Sequence, residues 1–113
     1  MKWIKVKAEQ DTDFFEFKPT MGDFDLTGTK LIGYFPDGTT YQQLVSAFGE
    51  PQYLEPSGDG KIKCEWNGKI GGDVFSIYDY KSEDAPENNT EWHIGGHDRE
   101  TCDRVLKYFE SHS

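Results

Sequence analysis

The stretch at 61–81, KIKCEWNGKIGGDVFSIYDYK, constrains the fold more than any other part of the chain. Two runs alternate over several residues and meet at Gly71-Gly72. A period of two suits a strand, whose successive side chains leave opposite faces of a sheet, and a glycine pair suits a tight connection. The segment therefore reads as an antiparallel hairpin. In its second strand Val74, Ser76, Tyr78 and Tyr80 share one face, while Phe75, Ile77 and Asp79 share the other. Both faces carry large side chains, so alternation alone does not say which is buried.

Further strands are expected on either side. Lys2 to Lys7 alternates with Trp3 on one side and Ile4 and Val6 on the other, and residues 13–18, DFFEFK, place Phe15 and Phe17 together. Pro19 and Gly22 mark a loop. Gly28 to Phe35 forms a third candidate, stopped by the turn signal Pro36-Asp37-Gly38. Residues 52–60 and 82–90 are polar and rich in turn formers, which predicts a loop and an exposed connection. A last strand, Glu91 to Ile94, leads into a Gly95-Gly96 turn.

Two segments carry helical periodicity. Tyr41, Leu44, Val45 and Phe48 repeat at i, i+3, i+4 and i+7, Thr40 with Gln43 fits a capping box, and Gly49 before Pro51 ends the helix. Cys102, Val105, Leu106 and Phe109 repeat the same spacing from Arg99 to about Glu110, with Asp98 placed to cap the start. The expectation is one α+β domain over residues 1–113, a mostly antiparallel sheet of five to six strands covered by two short amphipathic helices.

Large rings make that core feasible. Aromatics are 15% of the 113 residues and bury much area each, compensating for a hydrophobic fraction of only 35%. Twenty-one acidic against twelve basic residues give a formal charge of −9, which repels phosphate backbones and disfavours direct nucleic-acid binding. The two cysteines, Cys64 and Cys102, belong to no CxxC or Cys/His ladder and read as small buried hydrophobes. No apolar run reaches membrane-spanning length, the Lys-interrupted MKWIKVKAEQ does not read as a signal peptide, and no cofactor motif is present. The Asn88-Asn89-Thr90 sequon reads as a chance match in a cytoplasmic protein.

FGEP at 48–51, CEW at 64–66, FSIYDYK at 75–81 and EWHIGG at 91–96 occur in a characteristic order. In that order and spacing the chain resembles a group of small proteins of unassigned activity encoded by tailed bacteriophages. The likeness covers roughly the second half of the chain and the GDFDLTGTKLIGYF segment before the first helix. It implies an infected-cell cytoplasm as the setting, and it implies no catalytic residue.

Three chemistries compete. An anion could sit at the Gly95-Gly96 turn and the following helix N-terminus, with Lys81, Trp92, His93, His97 and Arg99 around it. Opposing this, Asp98 and Glu100 already occupy the first turn. A metal-dependent hydrolase would need His93, His97 and Asp79 together, although a turn separates the two histidines. A protein interface would use Trp66, Tyr78 and Tyr80 with acidic groups at Asp11, Asp13, Asp23 and Asp25 and at Asp79, Glu83, Asp84 and Glu87. The last reading leads: a non-enzymatic accessory protein that binds and modulates or inhibits a host protein with a basic surface, with imitation of DNA charge as one route, and with no membrane partner.

Overall fold

A computed structural model of the protein describes residues 18–54, 64–81 and 84–112. The strands expected at Lys2–Lys7 and through most of 13–18, with Asp11, Asp13 and Glu83, lie outside those residues. Within them the order is β1 (Thr20–Met21), β2 (Lys30–Tyr34), α1 (Tyr41–Phe48), β3 (Glu65–Ile70), β4 (Asp73–Tyr78), a 3₁₀ turn at Pro86–Asn88, β5 (His93–Gly96) and α2 (Arg99–His112). The five strands form one sheet in the order β1-β3-β4-β5-β2, every neighbouring pair antiparallel. This is the expected α+β class.

The hairpin forms about the expected Gly71-Gly72 turn; residues 61–63 of its first run lie outside the described residues, and its second strand ends at Tyr78. Gly71 and Gly72 both have positive φ, 59° and 87°, the backbone that a two-residue connection between twisted strands requires. The register Trp66↔Ile77, Gly68↔Phe75 then decides the faces. Trp66, Ile70, Phe75, Ile77 and Ile94 are fully buried with the residues of the two helices. Gly68 leaves room for this packing, since a Cβ there would lie 2.7 Å from the Phe75 ring.

Phe48, the last residue of α1, joins the layers. Its ring meets Phe35 at 6.4 Å, Phe75 at 6.0 Å, Tyr108 at 5.6 Å and Phe109 at 6.5 Å between centroids. Burial of each such ring stabilises the fold by about 1.5–3 kcal/mol. The buried indoles also have their polar atoms satisfied. Trp66 Nε1 donates to the Gly49 carbonyl at 2.7 Å, and Trp92 Nε1 to the carbonyls of Thr39 at 3.1 Å and Asn89 at 3.2 Å.

Both helix starts carry the expected caps. Thr40 accepts from Gln43 N while its own N–H donates to Gln43 Oε1, and Asp98 Oδ1 accepts from Thr101 N at 2.9 Å. Both cysteines are free and buried, and desolvation raises the Cys64 thiol to about 12.

Three local expectations change. Residues 20–21, read as loop, are β1; two residues are too few to show a period. The exposed connection contains a 3₁₀ turn followed by buried Asn89, whose side chain bonds the Glu91 backbone. The last strand begins two residues later than expected and runs through Gly95 and Gly96. Those glycines serve space, not a turn: a Cβ on Gly95 would stand 2.6 Å from Ser76 Oγ, and one on Gly96 2.7 Å from Ile32 Cδ1.

Candidate functional site: the open sheet face

Side chains pointing away from the helices form the other face of the sheet. Register lines five of them into a transverse row: Tyr53↔Glu65, Glu65↔Tyr78, Tyr78↔His93 and His93↔Tyr34. Directly opposed residues on antiparallel strands bring their side chains together, so the row is continuous across the sheet. His93 stacks on Tyr78 at 5.4 Å with an interplanar angle of 14°, meets Tyr34 at 5.0 Å and takes the edge of Tyr80 at 5.8 Å. Tyr34 is 58% exposed and Tyr80 41%. Lys81, in a left-handed conformation with φ 56°, holds its ammonium 5.5 Å from the Tyr80 ring centre.

A hollow lies on each side of this ridge. One, of about 180 Å³, opens where β2 leaves and β5 enters the sheet, between Tyr34, His93, Asp37 and Glu91. The second, of about 210 Å³, lies over Gly95 and Ser76 and is bounded by Tyr78, Leu31, Glu65 and Lys30. Gly95 creates the second hollow, because the next row of the face reads Asn67↔Ser76, Ser76↔Gly95, Gly95↔Leu31 and has no side chain at its third position.

The ridge is uncharged at its centre and acidic around it. Burial lowers the proton affinity of His93 below its ordinary value, against the opposing pull of the Tyr78 backbone, Glu91 and Asp79. Its Nδ1 is buried and makes no hydrogen bond among the described residues. Burial also raises the Glu65 carboxyl, and the nearby Asp23 charge raises it further. Glu65 Oε2 lies 2.7 Å from the Asn67 amide nitrogen once that amide is oriented by its neighbours. Tyr53 donates to Asp23 at 2.7 Å, which ties the acidic end of the row to the loop after β1. The ion pairs among the described residues are Arg104 with Asp73 and with Glu100, so Glu65, Asp37 and Glu91 form no ion pair there.

The structure divides the residues proposed from sequence. Tyr78, Tyr80 and His93 come together on the open face. Trp66 and Trp92 are core residues, fully buried, with their indole N–H groups donating to loop carbonyls. Asp79 is fully buried, accepting from Cys64 N at 3.0 Å. Asp23, Asp25, Asp84 and Glu87 are exposed. The anion turn does not form: Gly95 and Gly96 are buried within β5, paired to β4 on one side and β2 on the other, so their N–H groups are not offered together to a ligand. His97 and Arg99 are exposed beyond the strand, His97 beside Gly28. Among the described residues no group of three or more His, Cys, Asp or Glu side chains could hold a metal ion.

Tyr34, Tyr53, Asp37, Glu65 and Glu91 were not singled out from sequence. Tyr34 and Asp37 end one segment and the others lie in three further ones, and the pairing of β2 with β5 and of Tyr53 with Glu65 brings them together. No helix among the described residues is long and apolar enough to cross a membrane. No family model, curated protein or solved structure matches the chain.

Proposed function

We propose that this is a non-enzymatic binding protein that captures a partner protein with a basic surface on its open sheet face. The observation that carries the reading is the Tyr53–Glu65–Tyr78–His93–Tyr34 row, an aromatic ridge beside carboxylates that form no ion pair among the described residues. Exposed tyrosines suit an interface, since they contribute large contact area with few rotors to immobilise. The formal charge of −9 favours a basic partner and speeds encounter with it. The phage-type motifs make a host protein the natural target, and occlusion of that target the simplest mechanism.

Affinity capture from host lysate tests this, with the Tyr34→Ser/Tyr80→Ser variant as control. A partner retained by the native chain is lost by the variant, and its affinity falls steeply between about 0.05 and 0.3 M salt, where screening shortens the reach of exposed charges. If charge mimicry operates, duplex DNA competes for the same partner. Equal capture by the tyrosine variant, or capture indifferent to salt, would sink the reading.

A further inference from the structure

The two hollows specify more than a general attraction to basic surface. We infer that the open face receives an extended segment of the partner's chain carrying two cationic side chains, one on each side of the Tyr34–His93–Tyr78 ridge. This inference rests on the proposed binding face and adds the form of what binds there.

The first cation enters the hollow between Asp37 and Glu91, with the exposed Tyr34 ring beside it. Two carboxylates and an aromatic face suit an arginine or lysine head, since the carboxylates accept its N–H groups while the ring attracts its charge. The second enters the hollow over Gly95 and reaches toward Glu65. That carboxyl is half-buried and stands near Asp23, and a cation beside it would offset the cost of a buried charge and the repulsion from Asp23. Lys30 borders the β2 side of the same hollow, which directs the incoming cation toward the β3 side.

Spacing follows from the strand itself. Glu91, His93 and Gly95 are successive alternate residues leading along β5, marking the first hollow, the ridge and the second hollow. Extended chain rises about 3.3 Å per residue, so Glu91 and Gly95 lie roughly 13 Å apart. An extended ligand covers the same span in four residues. The preferred spacing is therefore cation-x-x-x-cation, with a small or flat residue crossing the ridge between them.

The test is a titration of the full-length, isotope-labelled protein with short synthetic peptides of equal charge that differ only in arginine spacing. The Arg-x-x-x-Arg peptide should shift the amide signals of Glu91, His93 and Gly95 and bind about tenfold more tightly than the same peptide with adjacent arginines, a difference of about 1.4 kcal/mol. Asp37→Asn with Glu91→Gln, two exposed positions, should remove that preference while leaving the remaining spectrum in place. Glu65→Gln should weaken the spaced peptide from the other side. Equal affinity for both spacings, or spacing preference surviving in the neutralised variants, overturns the inference. So do β5 shifts that grow with protein concentration without peptide, which would make a second copy the occupant. If the peptides fail but partner capture still needs Tyr34 and Tyr80, the two-cation form is wrong and the binding face stands. If neither occurs, both fall.

Discussion

The helix-covered and open faces of the sheet are built from similar aromatic residues yet do different work. On the covered face, Trp66 and Trp92 meet edge to face at 5.5 Å, and both indole N–H groups bond backbone carbonyls, so each ring is dry and fixed. On the open face, Tyr34 and Tyr80 gather round His93 with much of their rings in water. Aromatic content alone therefore does not distinguish core from interface. What separates them is whether the helices lie above the ring and exclude water from it.

Substitutions can break this contrast in order of size. Phe48→Ala should cost about 3–5 kcal/mol by leaving a cavity where four rings converge, read as a lower urea midpoint with an unchanged slope. Gly68→Ala should cost about 1–3 kcal/mol, because the new methyl meets the Phe75 ring and Met21 Sδ below 3 Å. Thr40→Ala should cost about 1 kcal/mol through loss of the capping box. Tyr34→Ser should change stability by no more than about 0.5 kcal/mol, as befits an exposed ring, while abolishing partner capture. A Tyr34 variant as unstable as the Phe48 variant would erase the distinction between the faces.

The smallest effects are the most specific to the open face. His93 has a folded-state proton affinity below its ordinary value of 6.5, so its neutral form is the one the fold prefers. The stability associated with it is present above that value and lost as pH falls through the folded pKa; His93→Gln should flatten that part of the profile. Glu65 has the opposite sign. Its carboxyl is raised above 4.5, so its contribution is greatest below that value and is lost as pH rises through the folded pKa. Glu65→Gln should therefore gain stability at neutral pH relative to the native chain, measured by thermal melts across pH. A loss at neutral pH would show that the Asn67 contact outweighs burial.

Local signals in the sequence identified much of this architecture. The Thr40–Gln43 box, the Gly71-Gly72 hairpin and the stripe of Cys102, Val105 and Phe109 each lie within a few turns or residues, and each appears where periodicity and capping chemistry place it. The choice of face was hidden because Tyr78 and Phe75 are both large; it took the position of the helices to decide. The ridge was less legible still. Tyr34 and His93 are distant in the chain, and nothing in either segment announces the other. Gly95-Gly96 misled for a physical reason: glycine signals both positive φ and close approach, and here only the second applies.

The strand order has a consequence in time. Among the described residues the strand neighbour of β2 in the sheet is β5, whose first residue, His93, is made long after Tyr34. During synthesis the pairing of β2 with β5 must wait, while the β3–β4 hairpin can already close. Pairings so far apart along the chain slow folding and expose sticky edges meanwhile. The β2–β5 seam thus closes after the β3–β4 hairpin can, and the Tyr34–His93 contact at the heart of the ridge cannot form before β5 has been made.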